Sequence, residues 1–188
     1  MLAVIVMGIA KYLKTGIVSV NAIERQIEIA EKRLILPYEK LKDSDWGQVY
    51  EKYVGQILEN EGYDVKYNGL EKGMLDRGID LIASKDNQLN FIQCKFTTGV
   101  ISKNRIEWIL YKASNVLYEN YKKYNKSIYF TLIVKNKDKN FSKRKPKNFQ
   151  LNFTDISKVE YPMLQYYLDH NYIQDKVKLE FREIEMFK

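Results

Sequence analysis

The sequence predicts an α/β or α+β fold: a mixed central sheet flanked by helices, with an extra N-terminal helical segment. Three observations carry this. Two long stretches repeat their apolar residues at helical spacing, 44–62 and 103–124. Short apolar or alternating runs lie between and after them, in the order helix, three strands, helix, strand. The length, 188 residues, suits one domain with a sizeable core and is too short for two full ones.

The elements are read in chain order. Met1–Ala10 is an apolar run, too short to span a bilayer and followed by Lys11 and Lys14. It reads as a buried segment or a subunit contact, and stable membrane insertion is not expected. Lacking a basic start and a small-residue cleavage site, it does not read as a secretory signal, so the expectation is a cytoplasmic protein with Cys94 reduced. Asn21 followed by Glu24 matches a helix-start box, and Ile23, Ile27, Ala30 and Leu34 recur on one helical face until Pro37. Residues 1–40 therefore form an N-terminal segment and helix, with 41–188 as the main domain of a single globular unit.

The next helix starts near Ser44 or Asp45, buries Trp46, Val49, Tyr50, Tyr53, Val54, Ile57 and Leu58, and stops at Gly62. Strands follow at Tyr63–Tyr67, Gly78–Ser84 and Leu89–Phe96, the last two joined by a turn centred on Asp86-Asn87. The helix from Lys103 to Tyr124 turns Ile106, Ile109, Leu110, Ala113, Val116 and Leu117 inward. A strand at Ser127–Lys135, a loop over Asn136–Asn148, a short helix at Met163–Asp169 and a strand through Val177, Leu179 and Phe181 complete the chain.

Composition narrows the chemistry. Apolar residues make up 45% and charged residues 29%, which fits an ordinary globular protein. One Cys excludes an intramolecular disulfide and a cysteine zinc cage; one His excludes a multi-histidine metal site. Any metal must then be held by oxygens, which points to magnesium or manganese. The formal charge is +7, with ten basic residues and one acid between Lys122 and Lys147. That stripe fits a polyanion, nucleic acid before an anionic membrane surface, and equally a solvated lysine-rich loop.

The informative stretch runs from Arg77 to Phe96. Asp80 sits in the apolar run Ile79-Asp80-Leu81-Ile82, where a charge is costly unless paired or bound to a metal. On the next strand, alternation puts Gln93 and Lys95 on one face and Ile92, Cys94 and Phe96 on the other. The hairpin brings Asp80 beside Gln93 and Lys95. An exposed cross-strand Asp–Lys pair is the plainer account of the same spacing. Gln93 adds a further oxygen, and the preceding helix carries Glu51 at a distance that lets it pack over the sheet. Gly47 and Gly55 flank Glu51 by one turn on each side. They either open that stripe to a metal or phosphate or permit close helix–sheet packing.

In order and spacing, G-x-x-Y-E (Gly47 to Glu51), E-G-Y-D-V (Glu61 to Val65), D-R-G-I-D-L-I-A (Asp76 to Ala83) and F-I-Q-C-K (Phe91 to Lys95) resemble the Mrr-like branch of the PD-(D/E)XK nuclease superfamily. The resemblance implies a restriction endonuclease-like fold. It implies that Glu51, Asp80, Gln93 and Lys95 are catalytic, with Gln93 in the place of the more usual acid. It also implies that Asp80, Gln93, the Cys94 backbone carbonyl and Glu51 hold Mg²⁺ or Mn²⁺. The partner implied is DNA, duplex or branched. Arg77, Thr97, Thr98, Ser102, Lys103, Arg105, Lys143, Arg144, Lys145 and Lys147 are the candidate DNA contacts, although capping or a turn ion pair explains several of them equally.

No helix-turn-helix or zinc finger is apparent before the motif. The expectation is a metal-dependent endonuclease of the kind seen in archaeal Holliday-junction resolvases and small viral nucleases, working as a homodimer on branched or structured DNA. The apolar N-terminus and the Ile23–Leu34 helix are the candidate dimer contacts. Alternatives are an Mrr-type nuclease on duplex DNA, a nuclease-fold DNA-binding protein without catalysis, and a membrane-surface protein.

Overall fold

A computed structural model describes residues 8–32, 34–120, 126–141 and 177–186. A one-turn helix, α1 (Ala10–Leu13), leads into β1 (Val18–Asn21), β2 (Gln26–Ile29) and β3 (Leu34–Pro37). The long helix α2 (Asp43–Asn60), β4 (Asp64–Lys66) and the short α3 (Asn68–Lys72) follow, then β5 (Leu81–Lys85) and β6 (Gln88–Lys95). The remainder is α4 (Lys103–Asn120), β7 (Ser127–Val134), α5 (Lys137–Asn140) and β8 (Val177–Glu183). Among the described residues, no helix is long and apolar enough to cross a membrane.

The central sheet has the order β4-β5-β6-β7-β8, antiparallel from β4 to β6 and parallel from β6 to β8. This is the expected mixed sheet. The β5–β6 hairpin closes with Lys85 opposite Gln88, so its turn is Asp86-Asn87, with Asp86 at φ +50°. Asn is suited to such turns, and Asp tolerates the left-handed conformation better than most residues. α2 starts within two residues of the expected site, where the Asp45 carboxylate accepts the Lys42 N–H. Gly62, at φ +87°, ends it and lets the Tyr63 N–H return to the Leu58 carbonyl.

Alternation along β6 divides the molecule into two apolar layers. Phe91 points to the α4 side, where Phe130, Leu132 and Val134 of β7 meet Ile106, Ile109, Leu110, Ala113 and Leu117. Ile92 and Cys94 point the other way, with Leu81, Ala83 and Ile133, against Val49, Tyr50, Val54 and Leu58 of α2. The buried faces of both long helices match their sequence periodicity. The Tyr50 hydroxyl donates to the Ile184 carbonyl, 2.8 Å away, and Arg182 pairs with Glu61, so α2 is tied to the strand end farthest along the chain.

The N-terminal helix over 21–37 is not formed. Those residues belong to a three-stranded antiparallel meander, with Asn21 opposite Gln26 and Ile27 opposite Leu36. Three local facts explain the difference. Ile27 and Ile29 are fully buried while Glu28 between them is not, which is period two rather than 3.6. The Asn21–Glu24 signature is real, since the Asn21 Oδ1 accepts the Glu24 N–H at 3.1 Å, but this bond closes a hairpin turn instead of starting a helix. Arg25, at φ +52°, completes the turn, and Pro37 ends an edge strand.

Ile9, Leu13, Val18, Ile27 and Ile29 share one apolar cluster with α2. Of the segments offered as a dimer contact, Ile9 and Ile27 are thus spent on the chain's own core, while Ile23 is exposed. The free side of β1 is also occupied: the Gln56 amide accepts the Val18 N–H at 2.7 Å and donates to the Val18 carbonyl at 2.8 Å. Residues 1–7, the Met163–Asp169 helix and the end of the long helix beyond Asn120 lie outside the described residues.

The meander predicts unequal costs for two isoleucines that the helical reading would treat alike. Ile27→Ala should cost about 2–5 kcal/mol in urea unfolding. Ile23 is 95% exposed at the turn, so Ile23→Ala should stay within about 0.5 kcal/mol. Equal losses at both positions would contradict the hairpin.

Candidate active site

The site is built where β5 and β6 begin to pair. Ahead of the strand residues, the Asp80 N–H already donates to the Ile92 carbonyl at 2.8 Å, and the Asp80 carbonyl accepts the Gly69 N–H at 2.8 Å. The backbone of Asp80 is thereby fixed between β6 and α3. Its side chain reaches across the same pair of strands. Asp80 Oδ2 accepts the Cys94 N–H at 2.6 Å and the Gln93 Nε2–H at 2.5 Å. The Asp80 and Gln93 termini are thus in contact, close enough to share one cation. Gln93 Oε1 lies toward Gly78, where φ is +81° and an added Cβ would stand 3.3 Å from that oxygen.

The turn before Asp80 has its own clamp. Asn68 is buried, and its amide donates to the Ile79 carbonyl at 2.6 Å and, more weakly, to the Asp76 carbonyl at 3.3 Å. Asp76 Oδ1 accepts the Gly78 N–H at 2.7 Å, and Arg77 between them takes φ +60°. Those bonds hold the Arg77 backbone where only a tight turn can go.

Glu51 comes from the opposite layer. Its Oε1 accepts the Leu70 N–H at 3.0 Å, and both oxygens sit where a Cβ on Gly69 would come within 2.7 Å. Gly69, rather than Gly47 or Gly55, is the glycine that allows the close approach. Gly47 faces open space, and the space beside Gly55 is filled by the Tyr67 ring. This is the packing role for Gly55.

Burial dominates the electrostatics of both carboxyls. Burial pushes the Glu51 carboxyl from 4.5 up to about 9, with the neighbouring Asp80 adding to it and the Leu70 N–H opposing. Burial likewise raises Asp80 from 3.8 to about 6, opposed by Lys95 and then by the Cys94 N–H. Cys94 is buried, and burial also holds its thiol well above its usual range, so it is a packing residue rather than a nucleophile.

A cleft of about 220 Å³ opens over this centre. Asp76, Arg77, Asp80, Gln93 and Lys95 line one part, and Arg105, Trp108 and Lys112 of α4 another. Four cations surround two carboxylates. Lys95 faces the same space as Asp80 and Gln93, as the strand alternation predicts. Glu51 is adjacent, not a lining residue.

Of the candidate DNA contacts, Arg77 and Arg105 reach the cleft. Ser102 Oγ accepts the Arg105 N–H at 3.3 Å, and Thr97 Oγ1 accepts the Gly99 N–H at 3.2 Å, so both serve local turns. Thr98 is exposed outside the lining, and Lys103 occupies the first turn of α4. Lys143, Arg144, Lys145 and Lys147 lie outside the described residues.

Sequence reasoning missed Trp108 and Lys112, although a signal was present. Arg105, Trp108, Ile109 and Lys112 recur at i, i+3, i+4 and i+7 on α4. It also missed Asn68, Gly69 and Leu70, which act through backbone groups and carry no spacing signal. Asn140 was missed too: it is fully buried, and its amide donates to the Thr97 and Gly99 carbonyls, shaping the loop that enters α4.

Among the described residues, no group of three or more His, Cys, Asp or Glu could hold a metal. The available donors are instead two carboxylates supplemented by an amide oxygen and a backbone carbonyl. All are hard oxygens, and both carboxyls are pushed upward in a way a cation would reverse, so the residues fit a hard divalent ion.

A carboxylate and an amide joined across a hairpin, with an ammonium two residues on, on the antiparallel side of a mixed sheet, define the class of restriction endonuclease-like nuclease folds. Residues 43–132, from the start of α2 into β7, match the Mrr catalytic-domain model of the restriction endonucleases. That segment is similar to the Mrr-like nucleases of the PD-(D/E)XK superfamily. No curated protein and no solved structure matches the chain.

The raised carboxyls give a pH dependence with a definite sign. Each binds its proton more tightly folded than unfolded. The stability they contribute is therefore complete below about pH 4 and is lost as pH rises through about 6 for Asp80 and about 9 for Glu51. In EDTA, the unfolding midpoint should fall between pH 5 and 9, and Glu51→Gln should flatten the upper part of that fall. An unchanged slope in the variant would rule out Glu51 as its source.

Proposed function

We propose that this chain is a divalent-cation-dependent DNA endonuclease that hydrolyses phosphodiester bonds, acts on branched or otherwise structured DNA and works as a homodimer. The observation that carries the reading is the contact between Asp80 and Gln93 with Lys95 opening into the same cationic cleft.

Phosphodiester hydrolysis needs an activated water and relief of charge on the phosphate. Asp80, Gln93 Oε1, the Cys94 carbonyl and Glu51 would hold Mg²⁺ or Mn²⁺. When bound, such an ion lowers the pKa of a water and offsets charge on a phosphoryl oxygen. Asp80 keeps its orientation through the Cys94 N–H and the Gln93 amide, both on Oδ2, which leaves its other oxygen for the ion. Lys95 orients the attacking water or stabilises the pentacovalent phosphorus as a compact point charge. Arg77, Arg105 and Lys112 receive phosphates on either side of the scissile one. The basic run at Lys143, Arg144, Lys145 and Lys147 carries the charge to bind further phosphates.

Support for a structured substrate comes from what precedes the nuclease segment. The small meander is fused to α2 through shared core residues, and among the described residues before α2 no groove-reading helix stands. Resolving a branch requires cutting two strands, which two copies of one active site accomplish.

Cleavage of linear duplex, single-stranded, flap and four-way-junction DNA in Mg²⁺ or Mn²⁺ tests the reading. Asp80→Ala should abolish the activity, and Lys95→Ala should lower kcat about 10²–10³-fold. Gln93→Glu, which restores a carboxylate, should lower the Mg²⁺ concentration needed. Absence of metal-dependent cleavage on every substrate would overturn catalysis, and equal cleavage of all four would overturn the branch preference. Neutralising Lys143, Arg144, Lys145 and Lys147 together should weaken binding to all sequences alike and reduce the salt dependence by about 0.9 log unit per lost phosphate contact on duplex.

A further inference from the structure

The cleft is mostly charged, with Met74, Trp108 and Ile109 as its large apolar side chains. The 3₁₀ turn Gly73–Asp76, between α3 and β5, presents Met74 fully exposed and Leu75 79% exposed. Met74 lines the cleft together with Asp80, Gln93 and Lys95. Trp108, 44% exposed, lines the same cleft from α4, with the Lys112 ammonium 5.4 Å from the centre of its ring.

Single exposed apolar residues are commonplace. Two further features make these informative. First, the turn is braced where it rejoins the sheet, by the Asn68 amide on the Asp76 and Ile79 carbonyls and by Asp76 on the Gly78 N–H. Second, the cations around it call for a polyanion, and Arg77, Lys95, Arg105 and Lys112 outnumber Asp76 and Asp80. A polyanion that also offers flat apolar faces beside its charges is a nucleic acid with accessible bases.

We propose that Met74 and Leu75 are an apolar wedge that enters the base stack of DNA held on Arg77, Arg105 and Lys112, and that Trp108 receives the face of the base so released. The proposal rests on the DNA reading above and deepens it. Apolar side chains inserted at a base step unstack it and kink the duplex, and the cost is least where stacking is already interrupted. Stacking of the released base on an indole offsets part of that cost. A branch point, flap or mismatch is then favoured because its step is already open, with no need to read sequence.

The test uses the full chain and two measurements. In EDTA, where cleavage is suppressed, a duplex carrying 2-aminopurine at successive positions reports unstacking by a rise in fluorescence. In Mg²⁺, cleavage is compared between an intact duplex and the same duplex with a mismatched bubble. The wild type should raise the fluorescence at one or two adjacent positions, and the double variant Met74→Ser/Leu75→Ser should not. The double variant's deficit in cleavage should be about tenfold larger on the intact duplex than on the bubble. Trp108→Ala should weaken binding of the bubble about tenfold.

Both turn residues are exposed, so thermal unfolding of the double variant should match the wild type and exclude a folding defect. DNA retained and cut without any rise in fluorescence, or an equal deficit on both substrates, would overturn the wedge and leave the nuclease reading standing. A chain that neither binds nor cuts any of these DNAs would overturn both.

Discussion

The candidate site depends on one interaction, the grip of β6 on the Asp80 carboxylate. A buried carboxylate in an apolar strand is expensive, and its position is retained here because one of its oxygens takes two N–H donors from adjacent residues of the neighbouring strand. The Cys94 N–H is a backbone donor, so its place follows from the strand register rather than from a rotamer. Leu81 opposite Ile92 sets that register, and the same register turns Gln93 and Lys95 into the cleft. A slip of one residue would exchange Gln93 and Lys95 for Ile92 and Cys94 and remove both polar side chains that β6 contributes to the centre.

The sheet divides labour between its faces. On the α2 side it is sealed by aromatic and branched side chains, and Glu51 is the acid from that layer aimed at the centre. It is fixed by the Leu70 N–H and by the absence of a side chain on Gly69. On the α4 side Ile106 and Ile109 belong to the apolar layer, and Arg105, Trp108 and Lys112 line the cleft beside Gln93 and Lys95 of β6. One helix braces the centre from behind; the other supplies the charged wall that a phosphate chain would meet.

Much of this was legible in the sequence because it follows from strict periods. Alternation in Phe91-Ile92-Gln93-Cys94-Lys95 placed Gln93 and Lys95 on one face, and the 3.6-residue repeats in α2 and α4 gave their buried sides. The N-terminal region was not legible, since Ile23, Ile27, Ala30 and Leu34 satisfy a helical template that Ile27 and Ile29 also break. Asn21 makes the same local bond in a helix cap and in a turn, so only the tertiary partner of Ile27 decides between them. Asn68 and Leu70 were invisible for another reason: their contributions are made to or by main-chain atoms, which leave no residue-type pattern.

Gln56 carries a consequence for how copies of this chain meet. The outer margin of β1 would otherwise present an unpaired amide and carbonyl at Val18, an invitation to an incoming strand from another molecule. A side-chain amide from α2 has already answered both groups. Lateral growth of the small sheet is shut off at that position by a residue of the long helix, so self-assembly through ribbon stacking is discouraged there.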